Sequence, residues 1–508
     1  MPIINSIVNW FNVKRLHQIE LFRQYPFDVQ KETLIHLVQQ ARDTRFGTQY
    51  GFQKIHTVSA FQESVKIHTY EDMSAHIRKV MEGEQNVLWP TEIRWFAKSS
   101  GTTNDKSKFI PVSQEILEDC HYRGGKDILA FYMRNYPESR ILTGKSLTLG
   151  GSHQINQYNE NSFYGDLSAI LIDNLPFWAD FIKTPRQEIA LMDKWEEKLK
   201  HLSDATISEN VTSIAGVPSW VMVLLKYILD KTGKSNLLEV WPNLEVFFHG
   251  GISFTPYRDQ YRALIPSEGM HYMETYNASE GFFAIQDDPA SDDMLLMLDY
   301  DIFYEFVPVE DIFSSNPKAL TVADVETGKN YAMVITTSGG LWRYMIGDTV
   351  TFTSLYPHKI KITGRTKLFI NAFGEEVILD NAEKALKAAC DATSAQIHEY
   401  TAGPVFMTGA AKGRHEWLIE FEREPRSLAK FSEVLDQTLR SINSDYDAKR
   451  YKDITLDPPL VKSLKKGSFY NWFNDKGKLG GQNKMPRLWN DRRYLEEMHS
   501  IQEKLGRQ

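Results

Sequence analysis

Ten residues near position 100 read Ser99-Ser100-Gly101-Thr102-Thr103-Asn104-Asp105-Lys106-Ser107-Lys108. They follow residues 93–97, which have the composition of a strand. Consecutive hydroxyl groups around a glycine place several donors on a backbone that can wrap closely around a ligand, and the lysines add positive charge. This combination suits a polyphosphate. A polar surface turn is the alternative, because such a turn has the same composition.

The standard catalytic motifs are missing elsewhere in the chain. The sequence Gly144-Lys145-Ser146 has Ser139 where the opening glycine of a Walker loop should stand. There is no G-x-S-x-G, H-E-x-x-H, C-x-x-C or G-x-G-x-x-G motif. Serine hydrolase, zinc protease and Rossmann dehydrogenase functions therefore lose their usual support.

Composition limits the class of protein further. The 508 residues are 42% hydrophobic, enough for two or more globular domains. A net charge of −8 argues against a nucleic-acid partner. Cys120 and Cys390 are too few for a disulfide framework, which suits a cytoplasmic protein.

No segment approaches the about 20 apolar residues that span a bilayer, so no membrane partner is expected. The apolar residues 1–11 predict a packed amphipathic helix, with a membrane-surface anchor as the alternative.

Helical and strand-like periods alternate along the chain. An apolar helix is predicted over residues 217–229, and an amphipathic helix over 191–202. Residues 244–248 and 331–335 are short apolar runs typical of buried strands. The mixture predicts an α/β and α+β fold, in which ligands gather where strands run into loops.

A second, smaller α+β domain is predicted to begin near residues 361–367. We therefore divide the chain into an N-terminal domain, residues 1–362, and a C-terminal domain, residues 363–508. The predicted elements of the smaller domain are a helix at 378–389, strand-like runs at 396–400, 404–407 and 417–421, and a helix opened by Ser427.

Several motifs occur in the order found in one enzyme family. Residues 99–108 resemble the phosphate loop of adenylate-forming enzymes. The continuation at 109–113 resembles the auxin-responsive acyl-acid amido synthetases, which include plant auxin- and jasmonate-conjugating enzymes and bacterial relatives. The later segments that carry the resemblance are His249-Gly250-Gly251, Thr275-Tyr276-Asn277-Ala278-Ser279-Glu280, Arg343-Tyr344-Met345-Ile346-Gly347-Asp348, Gly364-Arg365-Thr366-Lys367 and Lys484-Met485-Pro486-Arg487. The resemblance spans nearly the whole chain and implies a large adenylate-forming N-terminal domain with a small mobile C-terminal lid domain.

The resemblance implies a ligase that uses ATP and Mg²⁺. A carboxylic acid would attack the α-phosphorus, pyrophosphate would leave, and the amine of an amino acid or another amine would take the acyl group. Tyr276 would stack on adenine, Asp348 would bind the ribose hydroxyls and Glu280 would ligate Mg²⁺. Glu280 and Lys484 are the implied catalytic residues, Lys484 through transition-state charge. The implied nucleotide-binding residues are Ser99, Ser100, Gly101, Thr102, Thr103, Lys108, Gly250, Gly251, Thr275, Tyr276, Asp348 and Arg365.

The acyl pocket is placed on the apolar helix predicted at 217–229. Its candidate residues are Val217, Trp220 and Val221, with Tyr122 or Arg123 near the carboxylate of the acid.

Each assignment has a plain structural alternative. Tyr276 is otherwise a core aromatic, Glu280 a helix cap next to Ser279, and Asp348 part of a tight turn after a glycine. Lys484 lies in a basic stretch that is otherwise solvated surface, and His249 is interpreted as a hydrogen-bonded histidine at a strand end.

One segment departs from the plant pattern. The plant enzymes carry an Asp-Lys pair that acts on the nucleotide, whereas residues 371–376 here read Asn-Ala-Phe-Gly-Glu-Glu. That stretch resembles acyl-CoA synthetases and peptide synthetases. A ligase that forms a thioester with coenzyme A is therefore the first alternative function, and a non-catalytic nucleotide- or acyl-binding protein is the second. The sequence identifies neither substrate and gives no oligomeric state.

Overall fold

The structure is a computed structural model. It describes residues 2–99, 108–149, 155–175, 182–192, 195–251, 254, 257–312, 314, 317–366, 369–375, 377–407, 412–451, 456–475 and 487–506. Helices and strands alternate throughout these ranges, so the predicted α/β and α+β class is confirmed.

The helices are distributed along the whole chain. They are α1 (Pro2–Gln24), α2 (Pro26–Gln40), α3 (Arg45–Gln49), α4 (Val58–Ser64), α5 (Tyr70–Met81), α6 (Arg123–Asn135), α7 (Leu167–Asp173), α8 (Gln187–Ala190), α9 (Trp195–Thr206), α10 (Pro218–Thr232), α11 (Arg258–Leu264), α12 (Leu379–Thr393), α13 (Leu428–Ile442), α14 (Ser444–Arg450), α15 (Ser468–Asp475) and α16 (Arg493–Gly506).

The strands are short in the first part of the chain and longer in the middle. They are β1 (Trp95–Ser99), β2 (Lys108–Val112), β3 (Lys145–Thr148), β4 (Asn156–Asn159), β5 (Ser162–Gly165), β6 (Lys183–Thr184), β7 (Val211–Gly216), β8 (Val246–Gly250), β9 (His271–Ala278), β10 (Gly281–Ile285), β11 (Met294–Leu296), β12 (Ile302–Pro308), β13 (Asn330–Thr337), β14 (Tyr344–Leu355), β15 (His358–Arg365), β16 (Phe369–Ile370), β17 (Val377–Ile378), β18 (Gln396–Val405), β19 (Arg414–Arg423) and β20 (Leu460–Leu464).

A sheet of eleven strands dominates the described residues before 366. Its order is β12-β13-β14-β15-β11-β10-β9-β8-β7-β3-β6. Strands β6, β3, β7, β8 and β9 run parallel, and the strands on the other side of β9 are antiparallel to their neighbours. A smaller sheet has the order β2-β1-β5-β4. Parallel strands end at a common edge, where ligands of α/β proteins bind.

The described residues between 369 and 506, here called the C-terminal unit, form a smaller α+β body. Its main sheet has the order β18-β19-β20, and β16 pairs with β17. A large N-terminal part with a smaller C-terminal part is thus confirmed. The predicted boundary at 362/363 falls inside β15, which pairs with β14 as far as Arg365. That division stays a prediction.

Local sequence signals explain several element boundaries. Helix α10 begins at Pro218 and ends before Gly233, which has a φ of 65°, as proline and glycine favour. The hydroxyl of Ser427 accepts from the Lys430 amide and opens α13, as predicted. The predicted runs at 396–400 and 404–407 are one strand, β18, because Pro404 lies on a sheet edge where proline is tolerated. Leu191 lies outside α9, which is displaced towards the C-terminus from the predicted range 191–202.

The predicted N-terminal helix is present as α1, and its second half packs on the body. Ile19 and Phe22 are buried. Arg15 pairs with Asp127 at 2.7 Å and also contacts Asp299. Among the described helices, none combines the length and the apolar composition that crossing a bilayer requires.

Two large apolar clusters form the interior. The first packs the antiparallel strands against the N-terminal helices. The second begins at α10 and β8, with Val221 and Phe247, and continues into the C-terminal unit, with Phe373 and Trp417. The two parts of the chain therefore share one apolar cluster where they meet.

Candidate active site

The parallel strands β7 and β8 end side by side, and the last residue of β8 pairs with Thr275 within β9. We call this region the glycine edge and define it by Gly216, Gly250, Gly251 and Thr275. A Cβ atom on Gly250 would lie 2.4 Å from the Thr275 carbonyl oxygen, so no larger residue fits there. Gly251 has a φ of 81°, in the left-handed region that favours glycine. Of the predicted nucleotide residues, Gly250 and Thr275 are therefore in close contact, and Gly251 follows Gly250 in the chain.

Thr275 is held by the strand beside it. Its hydroxyl donates to the His249 carbonyl oxygen at 3.1 Å. The side chain is nearly buried. This bond fixes the orientation of the hydroxyl at the carboxyl end of β8.

Tyr276 and Asp348, two further predicted nucleotide residues, meet directly. The Tyr276 hydroxyl donates to Asp348 Oδ2 at 2.7 Å. Strands β10, β11 and β15 lie between β9 and β14 in the sheet, so a flat sheet would separate the two residues by roughly 19 Å. The contact requires a strongly coiled sheet.

The environment of Tyr276 is that of a core aromatic. The residue is 4% exposed, and its ring packs edge-on against Phe283 at a centroid distance of 4.8 Å. The ring of Tyr276 therefore packs as a core aromatic, as the structural alternative proposed. Its hydroxyl contacts Asp348, the carboxylate that is predicted to bind the ribose. Stacking on adenine stays a prediction.

Asp348 lies within β14 and not in a tight turn, so that alternative is wrong. It pairs in register with Arg365 of β15; the Arg365 side chain lies outside the described residues. Gly347, which precedes it, has a φ of 95°, and its carbonyl accepts from the Thr366 amide at 2.7 Å. The glycine kinks the strand and tightens its pairing with β15.

Glu280 occupies the connection between β9 and β10. Because no helix begins there, the helix-cap alternative is wrong. The residue is 8% exposed. On the other side of the connection, the Phe282 amide donates to Cys120 Sγ at 3.1 Å. Within the described ranges no cluster of three or more His, Cys, Asp or Glu residues forms a metal site. Mg²⁺ commonly takes one or two carboxylates together with phosphate oxygens, so a single Glu280 fits that ion.

The predicted phosphate loop connects β1 to β2. Its flanking residues Ser99 and Lys108 pair in register, whereas Ser100, Gly101, Thr102 and Thr103 lie outside the described residues. The Lys108 ammonium lies 5.6 Å from the centre of the Tyr70 ring. Lys484 also lies outside the described residues.

The predicted acyl residues fall into two groups. Val217 and Val221 are near the glycine edge: their methyl groups lie 3.3 and 2.9 Å from Cβ positions built on Gly251 and Gly216. Trp220, between them, contacts the C-terminal unit.

Tyr122 and Arg123 form the second group, and both contact other parts of the fold. The Tyr122 hydroxyl donates to the Leu171 carbonyl at 2.9 Å. The Arg123 guanidinium donates to the Asp299 carbonyl at 2.8 Å and pairs with Asp119 at 2.7 Å. Their part in carboxylate binding stays a prediction.

The first residue of the Arg343–Asp348 segment supports the fold. Arg343 binds Glu305 through two hydrogen bonds of 2.8 and 2.9 Å, and both residues are buried. It also donates to the Gln62 carbonyl at 2.9 Å. The same segment thus begins with a buried structural ion pair and ends with Asp348.

Two titratable residues, one buried and one half-buried, were not identified as a pair from the sequence. His249 and Glu274 are register partners on β8 and β9. Burial lowers the pKa of His249 to about 3 and raises the pKa of Glu274 to about 7. His249 does end a strand, but its buried Nδ1 has no hydrogen-bond partner, so the prediction of a fully hydrogen-bonded histidine is wrong at that atom. It stacks on Phe254 at 4.1 Å.

Comparison with known proteins confirms the resemblance seen in the sequence. Residues 15–270 match the GH3 family N-terminal domain, 295–365 its central domain and 380–493 its C-terminal domain. The indole-3-acetic acid-amido synthetase GH3.3 of Arabidopsis thaliana is 22% identical over 94% of this chain and 91% of its own length. The jasmonoyl–L-amino acid synthetase GH3.5 of Oryza sativa subsp. japonica is 24% identical over 94% of both chains.

Two solved structures share the fold. AtGH3.15 acyl acid amido synthetase in complex with 2,4-DB superposes with a TM-score of 0.60 at 17% identity, covering 93% of each chain. A 2-hydroxyisobutyryl-CoA ligase has a TM-score of 0.55 at 12% identity, covering 93% of this chain and 91% of its own. The match to the N-terminal domain of the family alone covers half of this chain, and the central and C-terminal domains match further residues. This chain therefore belongs to the GH3 family.

Proposed function

We propose that this protein is an ATP-dependent acyl-acid amido synthetase. It would join a carboxylic acid to AMP and then to the amine of an amino acid or another amine. The relatives named as amido synthetases match over nearly their full length. The observation that carries the proposal is the contact of Tyr276 with Asp348 in the same molecule whose glycine edge brings Gly250 against Thr275.

The reaction balances in two steps. A carboxylate oxygen forms a bond to the α-phosphorus of ATP, and the bond to pyrophosphate breaks. The amine nitrogen then forms a bond to the acyl carbon, AMP leaves and the nitrogen loses a proton. Positioning and charge neutralisation dominate catalysis of the first step, because negatively charged groups must approach one another.

The residues of the glycine edge supply positioning in this proposal. The absence of a side chain at Gly250 lets β8 pack directly against Thr275, and Asp348 would offer carboxylate oxygens to ribose hydroxyls. Ser99, Ser100, Thr102 and Thr103 are assigned to the phosphates together with Lys108, and Lys484 is assigned to the charge that develops during transfer. Glu280 is assigned to Mg²⁺, which supplies charge neutralisation on phosphate oxygens when bound.

A test of the function uses the purified full-length chain with ATP, Mg²⁺, a panel of aryl, indolyl and fatty acids, and a mixture of amino acids. We expect pyrophosphate exchange with at least one acid, followed by AMP and an N-acyl amino acid detected by mass spectrometry. Equilibrium binding of ATP with no turnover over the whole panel would instead indicate a non-catalytic binding protein.

A thioester-forming ligase is the second candidate. The CoA-ligase-like sequence at 371–376 favours it, and both reactions share the first step. Coenzyme A added to the same assay separates the two candidates. If AMP release requires coenzyme A and no amide forms with any amine, the amido synthetase proposal is wrong.

We place the protein in the cytoplasm as part of the same proposal. Cys120 and Cys390 are both free thiols, which is the usual state in a reducing compartment.

A further inference from the structure

One charged residue of the C-terminal unit reaches the helix assigned to the acyl group. Lys449 Nζ, from α14, lies 3.7 Å from the centre of the Trp220 indole in the first turn of α10. This is a short cation–π distance, and tryptophan is the strongest of the aromatic acceptors. Val217, one turn from Trp220, contacts the glycine edge at Gly251. The lysine therefore contacts a side chain next to the nucleotide-binding strands.

Lys449 is withdrawn from water. It is 1% exposed, and burial lowers its pKa to about 7, while the nearby carboxylates of Asp445 and Glu375 favour its charged form. A buried ammonium interacts more strongly with an aromatic face than an exposed one does, because it has lost competing water.

Glu375 is itself held in place. It accepts from the Phe373 amide at 2.7 Å and from His415 Nε2 at 2.7 Å. Both Glu375 and His415 are fully buried. The carboxylate that favours a charged Lys449 thus belongs to the segment at 371–376, the one that departs from the plant pattern. Trp220, Lys449, Glu375 and His415 together are called the domain junction.

Further contacts hold the same surfaces together. The Gln260 amide of α11 donates to Met407 Sδ at 2.9 Å. Within the C-terminal unit, Phe373 and Phe406 pack beside Met407 with their ring centres 6.2 Å apart. The apolar cluster shared by the two parts runs through this region. The position of Trp220 therefore depends on where the C-terminal unit docks.

We propose that Lys449 is a positioning residue for the acid substrate: it orients the Trp220 indole, and so completes the acyl pocket only when the C-terminal unit is docked. The proposal rests on the function proposed above and on the prediction from the sequence that Trp220 lines the acyl site. The affinity for the acid would then depend on the position of the C-terminal unit, because Lys449 of that unit orients Trp220.

The test compares Lys449→Met with Lys449→Arg in pyrophosphate exchange below pH 7, where Lys449 carries its charge. Methionine keeps much of the length of the side chain but loses the charge, so we expect the KM for the acid to rise roughly 3- to 30-fold, the range of a buried cation–π contact. The kcat and the KM for ATP should change less than twofold. Arginine should restore most of the affinity. Lys430→Met is the matched control, since Lys430 is an exposed residue of the same unit paired with Glu433.

A second readout does not depend on catalysis. In protein labelled with 5-fluorotryptophan, the ¹⁹F resonance absent from Trp220→Phe identifies Trp220. That resonance should shift in Lys449→Met and return towards the wild-type position in Lys449→Arg. An unchanged resonance together with an unchanged KM for the acid would overturn the proposal.

The two readouts also separate the proposals from each other. If no acid gives exchange while the resonance shifts as expected, the contact stands and the proposed enzyme function fails. If Lys449→Met does not fold, Lys449→Arg and Trp220→Phe carry the test. In that case, a Trp220→Phe protein with unaltered KM for every active acid contradicts the positioning role.

Discussion

The glycine edge brings predicted site residues into contact with each other, whereas the domain junction places one predicted residue, Trp220, against Lys449, which was not predicted. The two regions are held by different forces. At the glycine edge, adjacent strands press Gly250 against the Thr275 backbone, and the fit is steric. At the domain junction, a charged side chain from a distant helix lies over an indole. Adding one atom to a close steric contact forces the backbone or its neighbours to move. The attraction between a cation and an aromatic ring instead decreases as the cation loses its charge.

Each region also has a residue whose pKa is shifted by burial: Glu274, next to Thr275 of the glycine edge, and Lys449 of the domain junction. The two shifts affect stability in opposite directions. Burial raises the pKa of Glu274, so between pH 4.5 and about 7 the folded state holds more protons than the unfolded state. Burial lowers the pKa of Lys449, so between about pH 7 and 10.5 the folded state holds fewer. Stability contributed by Glu274 is lost as the pH rises through about 7, and stability contributed by Lys449 is lost as the pH falls through about 7.

The largest expected effect is on the pH dependence of stability. Glu274→Gln removes the ionisable group, so the variant should gain stability over the wild type as the pH rises from 4.5 to 7, reaching about 3 kcal/mol. Around Glu274 the charged neighbours are Arg258, Asp292 and Lys361, and its register partner is His249.

Urea unfolding followed by circular dichroism across this pH range measures the Glu274→Gln difference. Lys449→Met should leave the slope below pH 7 unchanged and flatten the rise of stability above it. Parallel curves for the wild type and Glu274→Gln would contradict a raised pKa at this residue.

The next effect tests the steric fit of the glycine edge. Gly250→Ala places a Cβ atom 2.4 Å from the Thr275 carbonyl oxygen. The backbone must move, and a misplacement of about 1 Å near a reacting centre costs on the order of 10²-fold in rate. We expect that loss in kcat/KM for ATP in pyrophosphate exchange. Gly269→Ala is the control, because its new Cβ would lie 3.5 Å from Ser267 Oγ, an ordinary contact.

The smallest effect concerns the contact between Tyr276 and Asp348. Tyr276→Phe keeps the ring and removes the hydroxyl that donates to Asp348 at 2.7 Å. A hydrogen bond to a charged acceptor contributes about 1.5–3 kcal/mol. Since ribose hydroxyls can replace the lost donor, only part of that should appear, as a KM for ATP raised about three- to tenfold. A loss as large as that of Gly250→Ala would indicate that the hydroxyl takes part in the chemistry.

The sequence predicted the elements that depend on neighbouring residues. Helix α10 behind Pro218, the cap at Ser427 and the strands β8 and β13 follow from local periodicity and end signals. The resemblance named Gly250 and Thr275 as nucleotide-binding residues, but their register pairing came from the structure. The family followed from the order of the motifs.

Only the tertiary structure decided which residues meet across distant elements. The coil of the sheet brings Tyr276 to Asp348, and the docking of α14 on α10 buries Lys449 against Trp220. The burial of His249, the raised pKa of Glu274 and the pairing of Arg343 with Glu305 depend on what packs around each side chain. A sequence pattern specifies which way a side chain faces within its own element, but the partner and the local dielectric are set by the packing of the whole chain.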